Sequence, residues 1–543
     1  MTHPTPVRRA PHAGHWPEPG PAYDHWEPPT PADIAAKALH EGFALTVGDA
    51  ERYADLGRTF VDVHKRVARR WLASRPVPDP LPSAPGDDEY NAVAHHLNLR
   101  GAAEGPLSGT RIVLKSTIAA APGAPIEAGS LLVDGHRAPA AATVATRALD
   151  AGAEITCTGC TDNLCLATTG DTGAYGPVLN PWNRSHTTWG SSAGPAALVT
   201  AGEADAAIMV DQAGSGRTPA AGTGLVSLMP TAGLIPMTGI VGFTPRQDRV
   251  AVASRHTRTV ALLSSTLSGG DGRDLTQGPY CPPCDWASGL TGDIRGLRVG
   301  VVTESLTTGP DGACDDAVAE AVWARVADLA RLGAEIYEVS IPDYAYAVDL
   351  AMLLTVHGGA QALLASQLGS SPTIVGGDPR LVKQFAQRRA AHPEWMAETV
   401  QVSAAVAGHN GGQPAGYWLA ITQDQILEIT AAFDAPLVGP GRLHALLTPT
   451  VHSTPPALAP HLTPDERLAR ALGPGIRHTC VHNLTGRPAI TIPAGLVNGL
   501  PVAVQLSALS LGEQYLLNAA LALEPENGYP AAPAPYHDQE IQL

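Results

Sequence analysis

The sequence contains few charged residues for its length, and basic residues are the minority among them. Only 16% of its 543 residues are charged, and 35 basic against 51 acidic side chains give a formal net charge of −16. Proteins that bind nucleic acids or anionic membrane surfaces usually present a basic face or stripe. We therefore expect neither nucleic acid nor a membrane as a partner.

Long apolar runs are also missing. A helix that crosses a membrane needs about 20 consecutive apolar residues, and the sequence has no such stretch. Residues 1–26 are rich in proline, histidine and glycine and do not contain the short apolar segment of a secretory signal. These two absences predict a cytoplasmic protein.

Cysteine is scarce, and its seven copies are an odd number spread through the chain. This pattern does not indicate a disulfide framework. The pairs Cys157/Cys160 and Cys281/Cys284 could together hold a structural zinc ion, but nothing in the sequence brings the pairs together. The histidines show no ligand spacing on a convincing helix either. We therefore predict no cofactor and no metal, and the zinc alternative stays open.

The residues that are abundant describe a folded, enzyme-like protein. Apolar residues make up 44% of the chain, and at about 100–200 residues per domain the length predicts several compact units. Strand-like and helix-like segments alternate, as in the strand at 297–303, the amphipathic helix that follows it and the strand at 335–341. This alternation is typical of an α/β protein.

Changes in composition divide the sequence into six segments. The prolines of the first segment prevent regular structure there, and the second segment shows helical spacing of its apolar residues before a proline-rich linker. The predicted segments are a Pro-rich extended arm (1–31), an N-terminal helical unit (32–90), the first part of an α/β core (91–270), a smaller inserted α/β-helical domain (271–440), the second part of the core (441–525) and a C-terminal tail (526–543).

Two short segments rich in small residues stand out. Residues 189–197 read Trp-Gly-Ser-Ser-Ala-Gly-Pro-Ala-Ala, and residues 211–217 read Asp-Gln-Ala-Gly-Ser-Gly-Arg. Glycine and serine allow backbone N–H groups to converge on one oxygen atom, as an oxyanion site requires. Each segment alone could equally be an ordinary turn.

The first segment also fits Gly-x-Ser-x-Gly, the nucleophile elbow of α/β-hydrolases, with Ser192 as the nucleophile. An elbow follows a buried strand. Residues 183–188 are polar instead, so we reject this interpretation.

Together with Lys115, which closes the strand-like run 111–114, the two segments resemble the signature of the amidase signature family of Ser–cis-Ser–Lys hydrolases. The spacing agrees with the family, because Ser191 follows Lys115 by 76 residues and Ser215 follows Ser191 by 24. Further matches occur at 175–182, 483–489 and 500–502. The resemblance extends from about residue 100 to 525 and is strongest to the nitrile-hydratase-linked bacterial amidases.

This resemblance implies an α/β amidase-signature fold. Its features are a mixed central β-sheet flanked by helices on both faces, a helical N-terminal unit and a smaller helical insertion. The helical unit resembles one that dimerises in relatives, so we expect a homodimer. The expected partner is a small-molecule amide or ester substrate.

The resemblance also implies the chemistry. Ser215 would attack the acyl carbon of a carboxylic amide and form an acyl-enzyme, with Ser191 and Lys115 as a proton relay; a serine hydroxyl needs such a base, and a lysine serves only when its amine is uncharged. Ser191 would lie beside a cis peptide bond, and Asp211 and Arg217 would pair to hold the nucleophile loop. The oxyanion hole would consist of the backbone N–H groups of Gln212, Ala213, Gly214 and Ser215. The candidate pocket residues are Trp189, Ser192, Cys165, Gln212 and His409.

Several neighbours of these residues depart from the family pattern. Ser116-Thr117 replaces Asp-Asn, Trp189 and Ala193 replace glycines, Ala213 replaces another, and Met229 stands in place of a lysine. Alanine adopts fewer backbone conformations than glycine. We therefore expect the shape of the oxyanion loop or of the acyl pocket to differ from that in the family. We therefore keep three interpretations: an amidase, an acyl transferase or amide-forming biosynthetic enzyme that uses the same three residues, and a catalytically inactive relative.

Overall fold

The computed structural model describes residues 26–532 apart from 75–76, 243, 245, 310–311, 361–377, 408, 410, 415, 440, 460 and 472. The predicted arm as far as residue 25 and the predicted tail from residue 533 lie outside the described residues.

The chain forms two compact units, which meet in sequence between Asp79 and Pro80. This boundary differs from the predicted one at residue 90, because the backbone after Pro80 already belongs to the larger unit. Residues 84–85 pair with the strand that contains His95 and His96. The predicted insertion 271–440 does not form a unit of its own, since it contributes two strands to the same large sheet.

The strands, in chain order, are β1 (Ala84–Pro85), β2 (Val93–Arg100), β3 (Arg111–Lys115), β4 (Pro125–Ile126), β5 (His136–Arg137), β6 (Glu154–Gly159), β7 (Leu179–Asn180), β8 (Asn183–Thr187), β9 (Ala206–Asp211), β10 (Val226–Met229), β11 (Arg249–Ser254), β12 (Arg298–Val302), β13 (Glu335–Val339), β14 (Ala445–Pro449), β15 (Ala489–Val497) and β16 (Leu500–Ser507). Twelve of them form one sheet in the order β1-β2-β6-β3-β9-β11-β10-β15-β16-β14-β12-β13. The pairs β4/β5 and β7/β8 form small separate sheets.

The large sheet is mixed, as predicted. Strand β3 runs parallel to β6 and β9, and β12 runs parallel to β13 and β14. The remaining neighbours, such as β9 with β11 and β15 with β16, are antiparallel. Because β3 and β9 are parallel neighbours, their carboxyl ends lie at the same edge of the sheet, which brings Lys115 and the segment after Asp211 together.

The helices are α1 (Pro31–His40), α2 (Val47–Ser74), α3 (Thr143–Asp150), α4 (Ala193–Thr200), α5 (Arg217–Thr223), α6 (Thr257–Leu267), α7 (Asp316–Arg331), α8 (Tyr346–Leu354), α9 (Pro379–Ala391), α10 (Glu398–Ala407), α11 (Tyr417–Asp434), α12 (Pro464–Ala471), α13 (Cys480–Thr485) and α14 (Glu513–Leu523). The first two belong to the small N-terminal unit, where Thr30 and Asp33 form a capping box at the start of α1. None of the described helices has the length and apolar character that would allow it to cross a membrane.

Helices cover both faces of the large sheet. Side chains alternate between the faces of a strand, so in β9 Ile208 packs into one hydrophobic cluster and Met209 into another. Helices α3, α6, α7 and α14 contribute to the cluster of Ile208, whereas α4 contributes to that of Met209. The observed fold therefore confirms the predicted fold class.

Candidate active site

Lys115 is the last residue of β3, and its side chain is completely buried. Its Nζ atom lies 2.7 Å from Ser191 Oγ and 3.3 Å from the carbonyl oxygen of Val210. The amine thus contacts uncharged oxygen atoms. Such an amine, when neutral, can accept a proton from the hydroxyl of Ser191.

Ser191 lies just before α4, in a segment whose backbone is held from several directions. The peptide bond between Gly190 and Ser191 is cis. The Ser191 carbonyl oxygen accepts hydrogen bonds from Thr161 Oγ1 at 2.6 Å and from the backbone N–H of Asp162 at 3.2 Å. The N–H of Gly190 donates to the carbonyl oxygen of Thr168 at 2.8 Å. The hydrogen bonds hold the backbone of the segment that carries Ser191.

Ser215 lies in the loop between β9 and α5 and is almost completely buried. Its carbonyl oxygen accepts a hydrogen bond from the backbone N–H of Ser192 at 3.1 Å, which brings the two serine segments together. Within the described part of the chain, no hydrogen bond joins Ser215 Oγ to Ser191. The structure therefore contains the first contact of the implied relay, between Lys115 and Ser191. It does not contain the second, between Ser191 and Ser215.

A buried ion pair holds the loop that carries Ser215. Asp211 and Arg217 are both inaccessible to solvent, and their side chains form two hydrogen bonds of 2.9 and 3.0 Å. Burial by itself opposes ionisation of Asp211. The positive charge and hydrogen bonds of Arg217, and a hydrogen bond from Asn483, nevertheless hold the pKa of this carboxyl below its usual value. Because Asp211 also accepts backbone N–H groups from Gly214 and Gly216, the ion pair sets the shape of the loop.

The four backbone N–H groups predicted for the oxyanion hole are not equivalent. The N–H of Gly214 donates to Asp211 Oδ1 at 2.8 Å and is therefore engaged. The N–H groups of Gln212, Ala213 and Ser215 have no acceptor among the described residues. Those three remain the candidates for binding an oxyanion.

The structure places four of the candidate pocket residues near this loop or beside Ser191. Trp189 is 2% exposed, has a positive φ of 64°, and packs with Ala221, Val451 and Ala503. Ser192 Oγ donates to the carbonyl oxygen of Val210, the residue before Asp211.

Gln212 and Cys165 complete this group of four. Gln212 Nε2 donates to Thr244 Oγ1 at 3.3 Å. Cys165 Sγ lies 3.5 Å from the hydroxyl of Thr161, which in turn contacts Ser191. The fifth candidate, His409, is exposed in the segment after α10, and no hydrogen bond among the described residues connects it to the other four.

Several of the residues that depart from the family pattern are buried close to the candidate catalytic residues or to a hydrogen-bond partner of Asp211. Ser116 and Thr117 are buried, and their hydroxyl groups lack hydrogen-bond partners among the described residues. Ala193 is the first residue of α4 and is completely buried. Met229 Sδ lies 3.4 Å from Asn483 Nδ2. These changed residues therefore follow Lys115 or Ser191 closely in the chain, or contact Asn483, which donates a hydrogen bond to Asp211.

The cysteine pairs lie in different surroundings. Cys157 and Cys160 are buried, and burial raises the pKa of the Cys157 thiol to about 11. Cys281 and Cys284 are partly exposed. Among the residues that the structure describes, no three His, Cys, Asp or Glu side chains are arranged to hold a metal ion.

Sequence reasoning missed several residues that support the site. Asp162 is fully buried beside Gly190 and accepts the N–H groups of Gly170 and Thr172, both at 3.0 Å. Burial and the nearby Asp171 raise the pKa of Asp162.

Two further supports come from the C-terminal part of the chain. Asn483 donates to both the backbone and the side chain of Asp211, and Thr479 donates to the Ala213 carbonyl. Asn483 was visible within a matched motif, but its partner could not be read from the sequence.

The chain is similar in sequence to known proteins. The profile of the amidase family matches residues 87–517. A glutamyl-tRNA(Gln) amidotransferase subunit of Halobacterium salinarum is 32% identical over 437 residues, which cover 80% of this chain and 99% of the relative. The enantioselective amidase of Rhodococcus rhodochrous is 30% identical over 518 residues, which cover 93% of this chain and 97% of the relative.

A solved structure shows the same fold. The 6-aminohexanoate cyclic dimer hydrolase, in complex with its substrate, superimposes with a TM-score of 0.66 at 24% identity and covers 77% of this chain and 85% of that protein. At this identity the likeness concerns the fold alone. Because the profile spans well over half of the sequence, the chain belongs to the amidase signature family.

Proposed function

We propose that this protein is an amidase-type serine hydrolase that cleaves the C–N bond of a carboxylic amide through an acyl-enzyme on Ser215. The observation that carries the proposal is the buried contact between Lys115 Nζ and Ser191 Oγ at 2.7 Å. This contact lies beside a loop that presents Ser215 and backbone N–H groups for which the described residues provide no acceptors. A base, a relay and an oxyanion site in one place are the requirements for acyl transfer from an amide.

The proposed reaction has two halves. Ser215 Oγ bonds to the acyl carbon while its proton passes to Ser191 and the Ser191 proton passes to Lys115, and the carbonyl oxygen becomes an oxyanion. When the oxyanion collapses, the C–N bond breaks and the leaving amine takes a proton back through the relay. Water then attacks the ester by the same route, releasing the acid and restoring Ser215.

The extent of the alignments supports an amidase over an amidotransferase component. The match to the enantioselective amidase covers 93% of this chain, whereas the match to the amidotransferase relative covers 80%. We also propose that the N-terminal helical unit mediates homodimer formation. We therefore propose a small-molecule amide or ester as the substrate.

Acyl transfer to an amine is the second candidate, supported by the amidotransferase relatives and by the changed residues around the triad. The deciding measurement is the ratio of amide product to free acid when the acyl-enzyme forms in water with millimolar amine. A predominance of acid with every amine indicates hydrolysis. A predominance of amide indicates a second pocket that excludes water, because water is otherwise in large excess.

The proposal is tested by the mass of the intact protein after exposure to a panel of amides and esters. The wild-type protein should gain the mass of the acyl group, and Ser215→Ala should gain none and lose turnover. The Ser192→Ala protein should still gain the acyl mass, which separates Ser215 from the neighbouring elbow-like serine. Turnover by Ser215→Ala equal to that of the wild type, or a wild-type protein that is never acylated, would contradict the proposal; the latter is the result expected of an inactive relative.

A further inference from the structure

The peptide unit between Ala213 and Gly214 is held at both ends. Its N–H, on Gly214, donates to Asp211 Oδ1 at 2.8 Å. Its carbonyl oxygen, on Ala213, accepts from Thr479 Oγ1 at 2.6 Å. The N–H and C=O of a planar trans peptide point in opposite directions, so two partners on opposite sides fix its rotation.

The next peptide unit, between Gly214 and Ser215, is held by α5. The carbonyl oxygen of Gly214 accepts a hydrogen bond of 2.7 Å from the backbone N–H of residue 218, in the first turn of α5. The N–H of Ser215 belongs to the same peptide unit and therefore points away from the helix. This N–H has no acceptor among the described residues and lies next to the nucleophilic oxygen.

Thr479 reaches this loop from a distant part of the sequence, 266 residues from Ala213. It is completely buried. Its Oγ1 atom would lie only 2.1 Å from a Cβ atom added at Gly214, whose φ is +133°. The threonine therefore packs directly on the glycine of the loop as well as binding its carbonyl neighbour.

We propose that Thr479 is a positioning residue that holds the oxyanion loop through its hydroxyl group, so that the N–H of Ser215 faces the developing negative charge. The inference rests on the proposed function of Ser215. Without the hydroxyl, the Ala213 carbonyl loses its side-chain partner, and only the hydrogen bond from the Gly214 N–H to Asp211 still orients the peptide unit. The loss then falls on the transition state more than on substrate binding, because the oxyanion exists only after attack.

The chain offers a matched control. Thr218 Oγ1 would lie 2.7 Å from a Cβ atom at Gly214, but it has no hydrogen-bond partner among the described residues. Thr218→Val and Thr479→Val thus make the same chemical change against the same glycine, and only the second removes a hydrogen bond. Thr479→Ser retains the hydroxyl, and Thr479→Ala removes it without pressing a methyl group on Gly214.

The experiment measures kcat and KM for an accepted amide, and also the rate at which a fluorophosphonate labels Ser215. In the labelling reaction the Ser215 Oγ–P bond forms, the P–F bond breaks, fluoride leaves and the serine proton passes to the relay. Thr479→Val and Thr479→Ala should lower kcat and the labelling rate by about 10- to 100-fold, with KM changed less than about threefold. Thr479→Ser and Thr218→Val should stay within about threefold of the wild type in both rates.

Wild-type rates in folded Thr479→Val or Thr479→Ala protein would overturn the inference, as would a loss in Thr479→Ser as large as in Thr479→Val. Thermal unfolding identifies variants that do not fold, and Thr479→Ala decides the question if Thr479→Val is one of them. Labelling separates this inference from the proposed function. If the wild type is labelled at Ser215 but hydrolyses no amide, the amidase proposal fails, and the labelling rates still decide the role of Thr479.

Discussion

At the scale of single residues, the proposed reaction depends on Lys115, Ser191 and Ser215 acting as one unit. Lys115 and Ser191 are both fully buried and in contact with each other. Removing either group should stop the relay, because a proton path with one member missing does not operate in part. Their effects on catalysis are therefore expected to overlap rather than add.

Lys115→Ala and Ser191→Ala should each lower kcat/KM by at least about 1,000-fold. The double variant should be little worse than either single variant. Steady-state kinetics of the three proteins check this, and thermal unfolding shows whether each is folded. Losses that multiply in the double variant would show that the two residues act independently and would contradict the relay.

The ion pair of Asp211 and Arg217 is a second feature at this scale, and its role is in stability. Arg217→Leu leaves the Asp211 carboxylate buried without its main counter-charge. Breaking a buried pair in this way typically costs about 3–5 kcal/mol. Urea unfolding should show a decrease of that size in the free energy of unfolding, and Arg111→Leu, at the partly exposed pair with Asp205, is a suitable control that should cost less than about 1 kcal/mol. Equal losses in both variants would show that the Asp211 pair is not special.

At the scale of structural elements, the segment from residue 474 to α13 connects the nucleophile loop to the core. His478 in this segment is buried, with Nδ1 2.7 Å from Tyr344 Oη and Nε2 3.1 Å from the carbonyl oxygen of Ala313. A carbonyl only accepts, so Nε2 carries the proton and Tyr344 donates to Nδ1. The neutral imidazole is thus the form that fits this element.

This element should make the protein sensitive to acid. Burial, with contributions from His452 and Arg477, lowers the pKa of His478 to about 3. In the unfolded chain the same group titrates near 6.5, so it takes up a proton below that pH only on unfolding. The titration of His478 should therefore not affect the free energy of unfolding above pH 6.5. The contribution of His478 to the free energy of unfolding should fall by up to about 1.4 kcal/mol per pH unit as the pH decreases from 6.5 towards 3.

Replacing His478 by glutamine should remove this contribution, because the amide stays neutral and keeps a donor for Ala313. Urea unfolding at pH 7 and pH 5 measures the effect. The decrease between the two pH values should be about 2 kcal/mol smaller in His478→Gln than in the wild type. His409→Gln, at an exposed histidine, is the control. An unchanged pH dependence in His478→Gln would contradict the assignment.

At the scale of the whole molecule, we propose that the homodimer forms through the small N-terminal unit. The long helix α2 exposes an apolar row at helical spacing, in which Leu56, Phe60 and Val67 are each more than half exposed. Such a row on a helix is typical of a surface that packs against another protein. A second copy of this chain is the occupant we propose.

Light scattering coupled to size exclusion should give twice the 56.1 kDa mass of one chain. The double variant Phe60→Glu/Val67→Glu should elute as a monomer, because it places charges within the apolar row. Substituting Arg58 by Glu on the same helix changes charge outside that row and should leave the mass unchanged. A wild-type protein that elutes as a monomer would exclude the homodimer.

The sequence predicted the fold class and the family correctly because both depend on local signals. The spacing of apolar residues that predicts β3, β9 and α7 can be read within each of these short segments. Each signature segment is also a continuous stretch of the sequence. The predicted unit boundary at residue 90 and the separate insertion at 271–440 differ from the observed division of the chain. Both depend on hydrogen bonds between distant strands, such as β12 with β14, which no local pattern contains.

The sequence by itself determined which residues carry the proposed chemistry, because Lys115, Ser191 and Ser215 each lie in a recognisable segment at a fixed spacing. Only the tertiary structure decided how they are held. Parallel pairing of β3 and β9 brings the lysine and the nucleophile loop to one edge of the sheet. Thr479 and Asn483, more than 260 residues further along the chain, then shape that loop. Hydrogen bonds of this kind depend on the packing of whole elements, and for that reason they could not be read from the order of the residues.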